Sequence, residues 1–296
     1  MTPLPVRLTL PWTERVGRPG RPLAPVLGIS PQPICQAVAR GRADVAECQR
    51  PGISDRRGGM SPDGVKAMAF DVFGTVVDWR RSIIEELRAF GQAKGISIKW
   101  DAFVDDWKSC YRPGMDAVRA GKLPWTNVDG IYRRKLDALL VEYGIHGLSE
   151  AEKILLNRAW HRCNPWPDVV AGLTWLKKTY VLSTLSNGDV ASLVSMAKRG
   201  GLPWDCILCA EVFRRYKPDP EVYQGAIELL ALEPQEIMMV AAHNYDLRAA
   251  RSHGMRTAFV PRPSEYGPGQ TSDLKPEDDW DLVVGDFREL AAAMGT

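Results

Sequence analysis

The stretch KAMAFDVFGT, residues 66–75, decides how the rest of the chain is interpreted. Ala67 to Phe70 is a short apolar run, and such a run bounded by a turn is typical of a buried strand. The run ends at Asp71, after which Phe73-Gly74-Thr75 predicts a tight turn. This stretch therefore predicts a buried strand that ends at a carboxylate.

Short β-rich stretches return after residue 165, with helical patterns between them. The predicted strands are 179–185, 206–210, 237–241 and 257–260, and the predicted helices are 190–199, 221–230 and 246–253. Alternation of strands and helices is typical of a parallel sheet with crossover helices. We therefore predict an α/β fold with a Rossmann-like core.

Residues 82–164 are strand-poor and helical in pattern, with Ile83, Leu87 and Phe90 at helical spacing. This block interrupts the alternation after the first strand only. We therefore predict an inserted all-helical cap at 82–164, with the α/β core formed by residues 63–81 and 165–296.

The first 60 residues contain nine Pro and seven Gly and have no sustained hydrophobic period. A segment of this composition buries too little apolar surface to offset its ordering entropy. We predict that residues 1–62 are a disordered or mis-started extension and that Met60 opens the functional protein.

Charge and composition exclude several classes of function. The first 60 residues carry nine Arg and four acidic residues, so the remaining 236 hold 29 basic and 32 acidic side chains, a net charge of −3. A slightly acidic body does not indicate nucleic-acid binding. No apolar run approaches 18 residues, so no membrane span is expected. Six Cys in 296 residues are not a disulfide framework, and we predict a reduced, cytoplasmic protein.

Polar residues follow several of the predicted strands. Asp71, Ser186-Asn187 and the segment His243–Asp246 lie at strand ends, and Lys217 lies in a loop after another strand. Ligands of open parallel sheets bind outside the carboxyl ends of the strands, so these residues should converge. Turn amides and a nearby ammonium would lower the pKa of Asp71, which could then act as a nucleophile. The alternative is that Asp71 only caps its turn.

Four motifs in order resemble those of the haloacid dehalogenase superfamily. They are Phe70–Asp78, Leu185–Gly188, Tyr216–Pro220 and Val240–Leu247. The resemblance covers about residues 66 to 290 and includes the helical cap. Within the superfamily the chain is most similar to the type II 2-haloacid dehalogenases.

Two positions favour dehalogenation over phosphoryl transfer. The superfamily's phosphatases carry a second Asp two residues after the nucleophile to protonate the leaving alkoxide, whereas this chain has Phe73. A halide leaves as a stable anion and needs no proton donor, so we count Phe73 among the substrate-binding residues. Ala242 stands where the phosphatases place an acidic residue that helps to hold Mg²⁺. The expectation is therefore a reaction without metal or other cofactor.

The resemblance implies a mechanism in two steps. Asp71 would attack C2 of a short 2-haloalkanoate, displace halide and form an aspartyl ester, which water then hydrolyses to a 2-hydroxy acid. Asp246 would orient Lys217 and the hydrolytic water, and Thr75 would hydrogen-bond the nucleophile. The expected partners are a small halocarboxylate and water, and the family pattern implies a homodimer.

Substrate and halide contacts are expected from both parts of the chain. The resemblance implies that Ser186 and Asn187 hold the substrate carboxylate and the departing halide. The family's halide-binding Arg follows a Trp, but Trp107 is followed here by Lys108. Either Lys108 takes this role, or Arg112 reaches in from one helical turn further on. Both could also be solvated surface charges.

His243 is a departure from the family's usual Asn in the fourth motif. It could activate water as a general base, since its unperturbed pKa suits neutral pH, or it could be a structural histidine at a strand end. Some relatives with an Ala-Ala-His fourth motif cleave C–F bonds, which makes fluoroacetate an open substrate. The alternatives to a dehalogenase are a Mg²⁺-dependent phosphatase of small metabolites and a non-catalytic binding protein.

Overall fold

Eight β-strands are present in a computed structural model that describes residues 64–296. They are β1 (Ala67–Phe70), β2 (Val77–Asp78), β3 (Asn164–Pro165), β4 (Val181–Ser186), β5 (Cys206–Cys209), β6 (Ile237–Ala241), β7 (Arg256–Phe259) and β8 (Leu282–Val283). The predicted extension, residues 1–62, lies outside the described residues. β1 and β6 have the predicted bounds. β8 was not predicted, because a strand of two residues is too short to show a hydrophobic period.

Six strands form one sheet in the order β5-β4-β1-β6-β7-β8, and every neighbouring pair is parallel. The chain builds β4 and β5 on one side of β1, then crosses to β6 on the other side. Strand order therefore reverses beside β1, which makes this the switch point where open α/β sheets bind ligands. The predicted parallel sheet is confirmed.

β1 is buried on both faces. Met68 and Phe70 pack into one hydrophobic cluster, and Ala67 and Ala69 pack into another. Successive side chains of a strand point to opposite faces, so the two clusters lie on the two sides of the sheet. A strand covered by helices on both sides needs a continuous apolar run, which explains the pattern read from the sequence.

Eleven α-helices occur within residues 64–296. They are α1 (Trp79–Lys94), α2 (Trp100–Lys108), α3 (Tyr111–Arg119), α4 (Val128–Glu142), α5 (Glu150–Asn157), α6 (Val169–Leu176), α7 (Val190–Gly200), α8 (Ala210–Phe213), α9 (Pro220–Leu230), α10 (Asn244–Ser252) and α11 (Phe287–Ala293). Short 3-10 turns cover Arg158–His161 and Pro234–Glu236. In this part of the chain, none of the helices has the length and apolarity needed to cross a membrane.

Helices α1 to α5 form the inserted segment. β2 and β3 flank it and pair antiparallel, with Val77 opposite Pro165, so the segment leaves and rejoins the core at one place. α1 begins after Asp78, whose side chain accepts a hydrogen bond from the Arg81 amide, and ends at Gly95 in the left-handed conformation. The all-helical insertion is as predicted, and its exact boundaries at 82 and 164 stay a prediction.

Candidate active site

The carboxyl ends of β1 and β6 bring Asp71 and His243 together at the switch point. The Asp71 amide donates to the Val240 carbonyl at 3.0 Å, which extends the pairing of β1 with β6 by one residue. Lys217 arrives from the loop between α8 and α9, 146 residues further along the chain than Asp71. The predicted convergence of these three residues is present in the structure.

The Asp71 carboxylate receives three side-chain donors. Its Oδ2 accepts from Thr75 Oγ1 at 2.7 Å and lies 3.0 Å from His243 Nδ1. Its Oδ1 accepts from Lys217 Nζ at 2.9 Å. Burial acts to raise the pKa of Asp71, but the Lys217 charge and the hydrogen bonds from His243 and Thr75 outweigh it and lower that pKa. Oδ2 has two partners and Oδ1 has one, so Oδ1 keeps a lone pair for another atom.

Lys217 is shared between two carboxylates. Its Nζ also contacts Asp246 Oδ2, and Asp246 Oδ1 accepts from the Tyr223 hydroxyl at 2.6 Å. Asp246 is fully buried, and this burial, with the nearby charge of Asp71, raises its pKa against the opposing effect of Lys217. One ammonium therefore lies where two neighbouring carboxylates would otherwise repel each other.

Asn187 positions the loop that carries Lys217. Its Oδ1 accepts from the Lys217 amide at 2.6 Å, and its Nδ2 donates to the Lys217 carbonyl at 3.2 Å. Ser186 is buried as well, and its Oγ accepts from the Gly188 amide at 3.1 Å. Both side chains are used within the protein and neither lines the cleft described below. Asn187 also hydrogen-bonds Tyr111, a residue that lines that cleft. The expected role of Ser186 and Asn187 in binding the substrate stays a prediction.

Thr75 and Gly74 shape the turn after β1. Thr75 Oγ1, while donating to Asp71, accepts from the Ala242 amide at 2.9 Å and so links the two strand ends. Gly74 has a φ of +92°, which side chains rarely adopt, and a Cβ there would lie 2.2 Å from Glu265 Oε1. The turn therefore requires glycine because a carboxylate occupies the adjacent space.

Glu265 is a site residue that sequence reasoning missed. It is buried in the segment after β7, and its Oε2 lies 2.9 Å from His243 Nε2. Its Oε1 accepts from Trp79 Nε1 at 2.9 Å. The available signals were Gly74, whose missing Cβ leaves room for it, and the unusual His243, which needs a partner for its second nitrogen.

A cleft of about 240 Å³ opens beside Asp71. Its lining includes Asp71, Phe73, Lys108, Arg112, His243 and Glu265, together with three tyrosines. Phe73, Lys108 and Arg112 were predicted to contact substrate or halide, and all three lie here. A second, larger cleft of about 520 Å³ lies near Trp125 and Arg214 and contains none of the predicted site residues.

Lys108 lies among aromatic rings at one side of the cleft. Its Nζ is 3.8 Å from the centre of the Tyr111 ring and 4.9 Å from that of Trp79. The Tyr132 hydroxyl lies 3.3 Å from Nζ. Burial lowers the pKa of Lys108 to about 8 despite the nearby charges of Glu265 and Asp71. Arg112 differs, because it is exposed and its guanidinium stacks over the Tyr245 ring at 4.9 Å.

The donor set does not resemble a metal centre. Within residues 64–296, no group of three or more His, Cys, Asp and Glu side chains is arranged to hold a metal ion. Asp71 and Asp246 share the Lys217 ammonium, and Ala242 contributes only its backbone amide to Thr75. The expected absence of a cofactor stays a prediction.

The fold and the site define a hydrolase with an aspartate at the switch point. Residues 65–254 match the haloacid dehalogenase-like hydrolase family, and the chain belongs to it. The resemblance found in the four motifs is therefore confirmed, as is the α/β class with a helical insertion.

Several proteins that are similar to this chain are 2-haloacid dehalogenases. A solved L-2-haloacid dehalogenase is 49% identical, covers 77% of this chain and 98% of its own, and superposes with a TM-score of 0.76. A solved defluorinating L-2-haloacid dehalogenase is 43% identical, covers 78% of this chain and 96% of its own, and has the same TM-score of 0.76. The (S)-2-haloacid dehalogenase 1 of Pseudomonas sp. (strain CBS-3) is 27% identical over 69% of this chain and 89% of its own length.

Proposed function

We propose that this protein hydrolyses the carbon–halogen bond of short 2-haloalkanoates through an aspartyl ester and without a metal. The observation that carries the proposal is the Asp71 carboxylate, held by Lys217, Thr75 and His243 with a lone pair of Oδ1 left over beside a small cleft. The dehalogenase names of the relatives support the same chemistry.

In the first step, Asp71 Oδ1 attacks C2 of the substrate and the C2–halogen bond breaks. The leaving halide needs a desolvated cation or hydrogen-bond donor, and Lys108 in its aromatic surroundings supplies one. Arg112, on the same cleft, is available for the substrate carboxylate, because a guanidinium can bind a carboxylate through two parallel hydrogen bonds. Phe73 gives the reacting carbon an apolar neighbour and offers no proton, which suits a halide leaving group.

In the second step, water attacks Cγ of the aspartyl ester and the Cγ–Oδ1 bond breaks. One proton of the water ends on the departing alkoxide oxygen, so the product leaves as a 2-hydroxy acid. The second proton is lost when the Asp71 carboxylate reforms. Each turnover therefore releases one halide and one proton.

Fluoroacetate belongs to the proposed substrate range. A defluorinating relative is 43% identical to this chain. The Lys108 ammonium is a compact point charge, unlike the planar guanidinium of the family's usual Arg, and a small, hard fluoride suits such a donor. A homodimeric assembly and a cytoplasmic location remain predictions.

Halide release tests the proposal directly. We expect the wild-type protein to release halide from (S)-2-chloropropionate and fluoroacetate in the presence of EDTA, and the Asp71→Asn variant to release none. Asp137→Asn, which alters a half-exposed carboxylate of α4, is the matched control and should keep full activity.

Two outcomes would contradict the proposal. Halide release that requires added Mg²⁺ would remove the metal-free mechanism. Absence of halide release, together with Mg²⁺-dependent cleavage of p-nitrophenyl phosphate, would instead indicate the phosphatase alternative.

A further inference from the structure

The two oxygens of Asp71 become different once the ester has formed. If Oδ1 is bonded to the substrate carbon, Oδ2 becomes the carbonyl oxygen of the ester. Attack of water on Cγ then moves negative charge onto Oδ2. Donors already aimed at Oδ2 would stabilise that charge without reorganisation, as donors of an oxyanion hole do.

His243 is held in its charged form by its surroundings. Nδ1 faces Asp71 Oδ2 at 3.0 Å and Nε2 faces Glu265 Oε2 at 2.9 Å. Ionised carboxylates only accept hydrogen bonds, so both ring nitrogens must carry hydrogens and the ring is an imidazolium. Burial opposes the charge, but Glu265 and Asp71 outweigh it and raise the pKa of His243 well above its ordinary value. A cation of this kind cannot accept the proton of a water, so the structure argues against the general-base role.

Other groups around His243 do not change this assignment. The Tyr245 ring centre lies 5.8 Å away, and burial keeps this tyrosine neutral by raising its pKa. Lys108 lines the same cleft, and its positive charge would favour a neutral imidazole. The two carboxylates are the groups in direct contact.

Glu265 is itself fixed in place. Trp79, at the start of α1, donates its indole hydrogen to Oε1 at 2.9 Å, and the turn at Gly74 leaves space for the carboxylate. The inserted helical segment therefore contributes to the position of Glu265, and through it to the position and charge of His243.

We propose that Thr75 Oγ1 and His243 Nδ1 form an oxyanion hole for hydrolysis of the aspartyl ester, and that Glu265 is the positioning residue that keeps His243 charged. This inference rests on the proposed dehalogenase function. In ester hydrolysis, a bond forms between Cγ and the water oxygen while the electron pair of the carbonyl moves to Oδ2. The Cγ–Oδ1 bond breaks as that pair returns. Alkylation, in contrast, removes negative charge from the Asp71 carboxylate. These two donors therefore lower the barrier of the hydrolysis step and not that of alkylation.

Pre-steady-state kinetics on His243→Ala, with substrate in excess, separate the two steps. We expect a burst of about one halide per active site, as in the wild type, followed by a steady-state rate reduced about 10²- to 10³-fold. The aspartyl ester should then accumulate and appear in the intact mass as one added carboxyethyl group from 2-chloropropionate. His146→Ala, in an exposed loop, is the matched control and should behave as the wild type.

Glu265→Gln provides a second variant that keeps a hydrogen-bonding side chain and removes only the charge. We expect its kcat at saturating substrate to fall at lower pH than that of the wild type, because His243 keeps only one of the two carboxylates that stabilise its proton. The ¹⁵N chemical shifts of the His243 ring should report an imidazolium at pH 8 in the wild-type protein and a neutral ring in the variant.

Three results would overturn the inference. One is loss of burst and steady state in equal measure, with no trapped ester, in a folded His243→Ala protein. Another is a neutral His243 ring in the wild type at pH 7. Absence of halide release by the wild type would instead remove the proposed function, and the inference with it.

Discussion

Replacing Lys217 with Met removes the one ammonium that two buried carboxylates share. Lys217 Nζ lies 2.9 Å from Asp71 Oδ1 and also contacts Asp246 Oδ2. The side chain of Lys217 is 1% exposed, that of Asp71 8% and that of Asp246 not at all. Met occupies a similar volume without charge, so the substitution changes the electrostatics with little change in packing.

The burial of these side chains sets the expected loss in the free energy of unfolding. Removing one partner of a buried ion pair costs about 3–5 kcal/mol, because the remaining charge is left uncompensated. At 1.4 kcal/mol per tenfold, the unfolding equilibrium should shift by roughly 10²- to 10³-fold or more. By comparison, an exposed pair contributes about 0–1 kcal/mol.

The loss should depend on pH with a definite sign. In the wild type, Lys217, His243 and Thr75 lower the pKa of Asp71, so its stabilisation is complete above the unfolded pKa of about 3.9 and is lost as pH falls further. In the variant, Asp71 keeps Thr75 and His243, but Asp246 loses the Lys217 ammonium, so burial and the Asp71 charge raise the pKa of Asp246 further. The destabilisation is then greatest at high pH and shrinks as Asp246 becomes protonated. The deficit should therefore be smaller at pH 5 than at pH 8.

Urea unfolding at pH 5 and pH 8 measures this difference. Lys177→Met is the matched control, since Lys177 pairs with Asp205 and their side chains are 34% and 38% exposed. It should lose no more than about 1 kcal/mol at either pH. Equal losses in the two variants, or a Lys217→Met deficit that grows at pH 5, would refute the reasoning.

Two further substitutions test the turn and the cleft. Gly74→Ala should destabilise the protein by about 2–4 kcal/mol in urea unfolding, because a Cβ at φ +92° would also meet the Glu265 carboxylate at 2.2 Å. Gly95→Ala, at φ +68° with open space around it, should lose only the backbone contribution of about 1 kcal/mol, and an equal loss at both positions would contradict the steric argument. For halide binding, kcat/KM should fall as pH rises through about 8 because Lys108 loses its proton there, and Lys108→Arg should abolish that fall. A pH profile unchanged by the substitution would exclude Lys108 as the group that titrates.

The parts of the site that could be predicted lie in short, continuous motifs. The run from Ala67 to Phe70 predicted β1 with its observed bounds, because a strand buried on both faces needs consecutive apolar residues. The polar residues that follow β1 and β6 were expected to converge, because parallel strands end at one edge of the sheet. Lys217 was placed with them by its motif, and its contacts with Asp71 and Asp246 follow from that position.

Other expectations needed the folded chain. Asn187 was expected to hold substrate, which stays a prediction, and its side chain also bonds the backbone of Lys217, a contact across 30 residues that local sequence does not encode. Lys108 and Arg112 were equal candidates for the halide. Their surroundings in the folded protein differ, since Lys108 lies among aromatic rings and Arg112 is exposed.

By itself, the sequence determined the α/β class, the helical insertion and the carboxylate at the end of β1, since each strand or helix depends on patterns within a few neighbouring residues. Only the tertiary structure decided that Glu265 joins the site and that a carboxylate faces each nitrogen of His243. Glu265 lies 22 residues after His243 with no motif around it, and Trp79, which fixes it, lies 186 residues away. The protonation state of a buried imidazole depends on which groups face its two nitrogens, and that is a property of packing between distant segments.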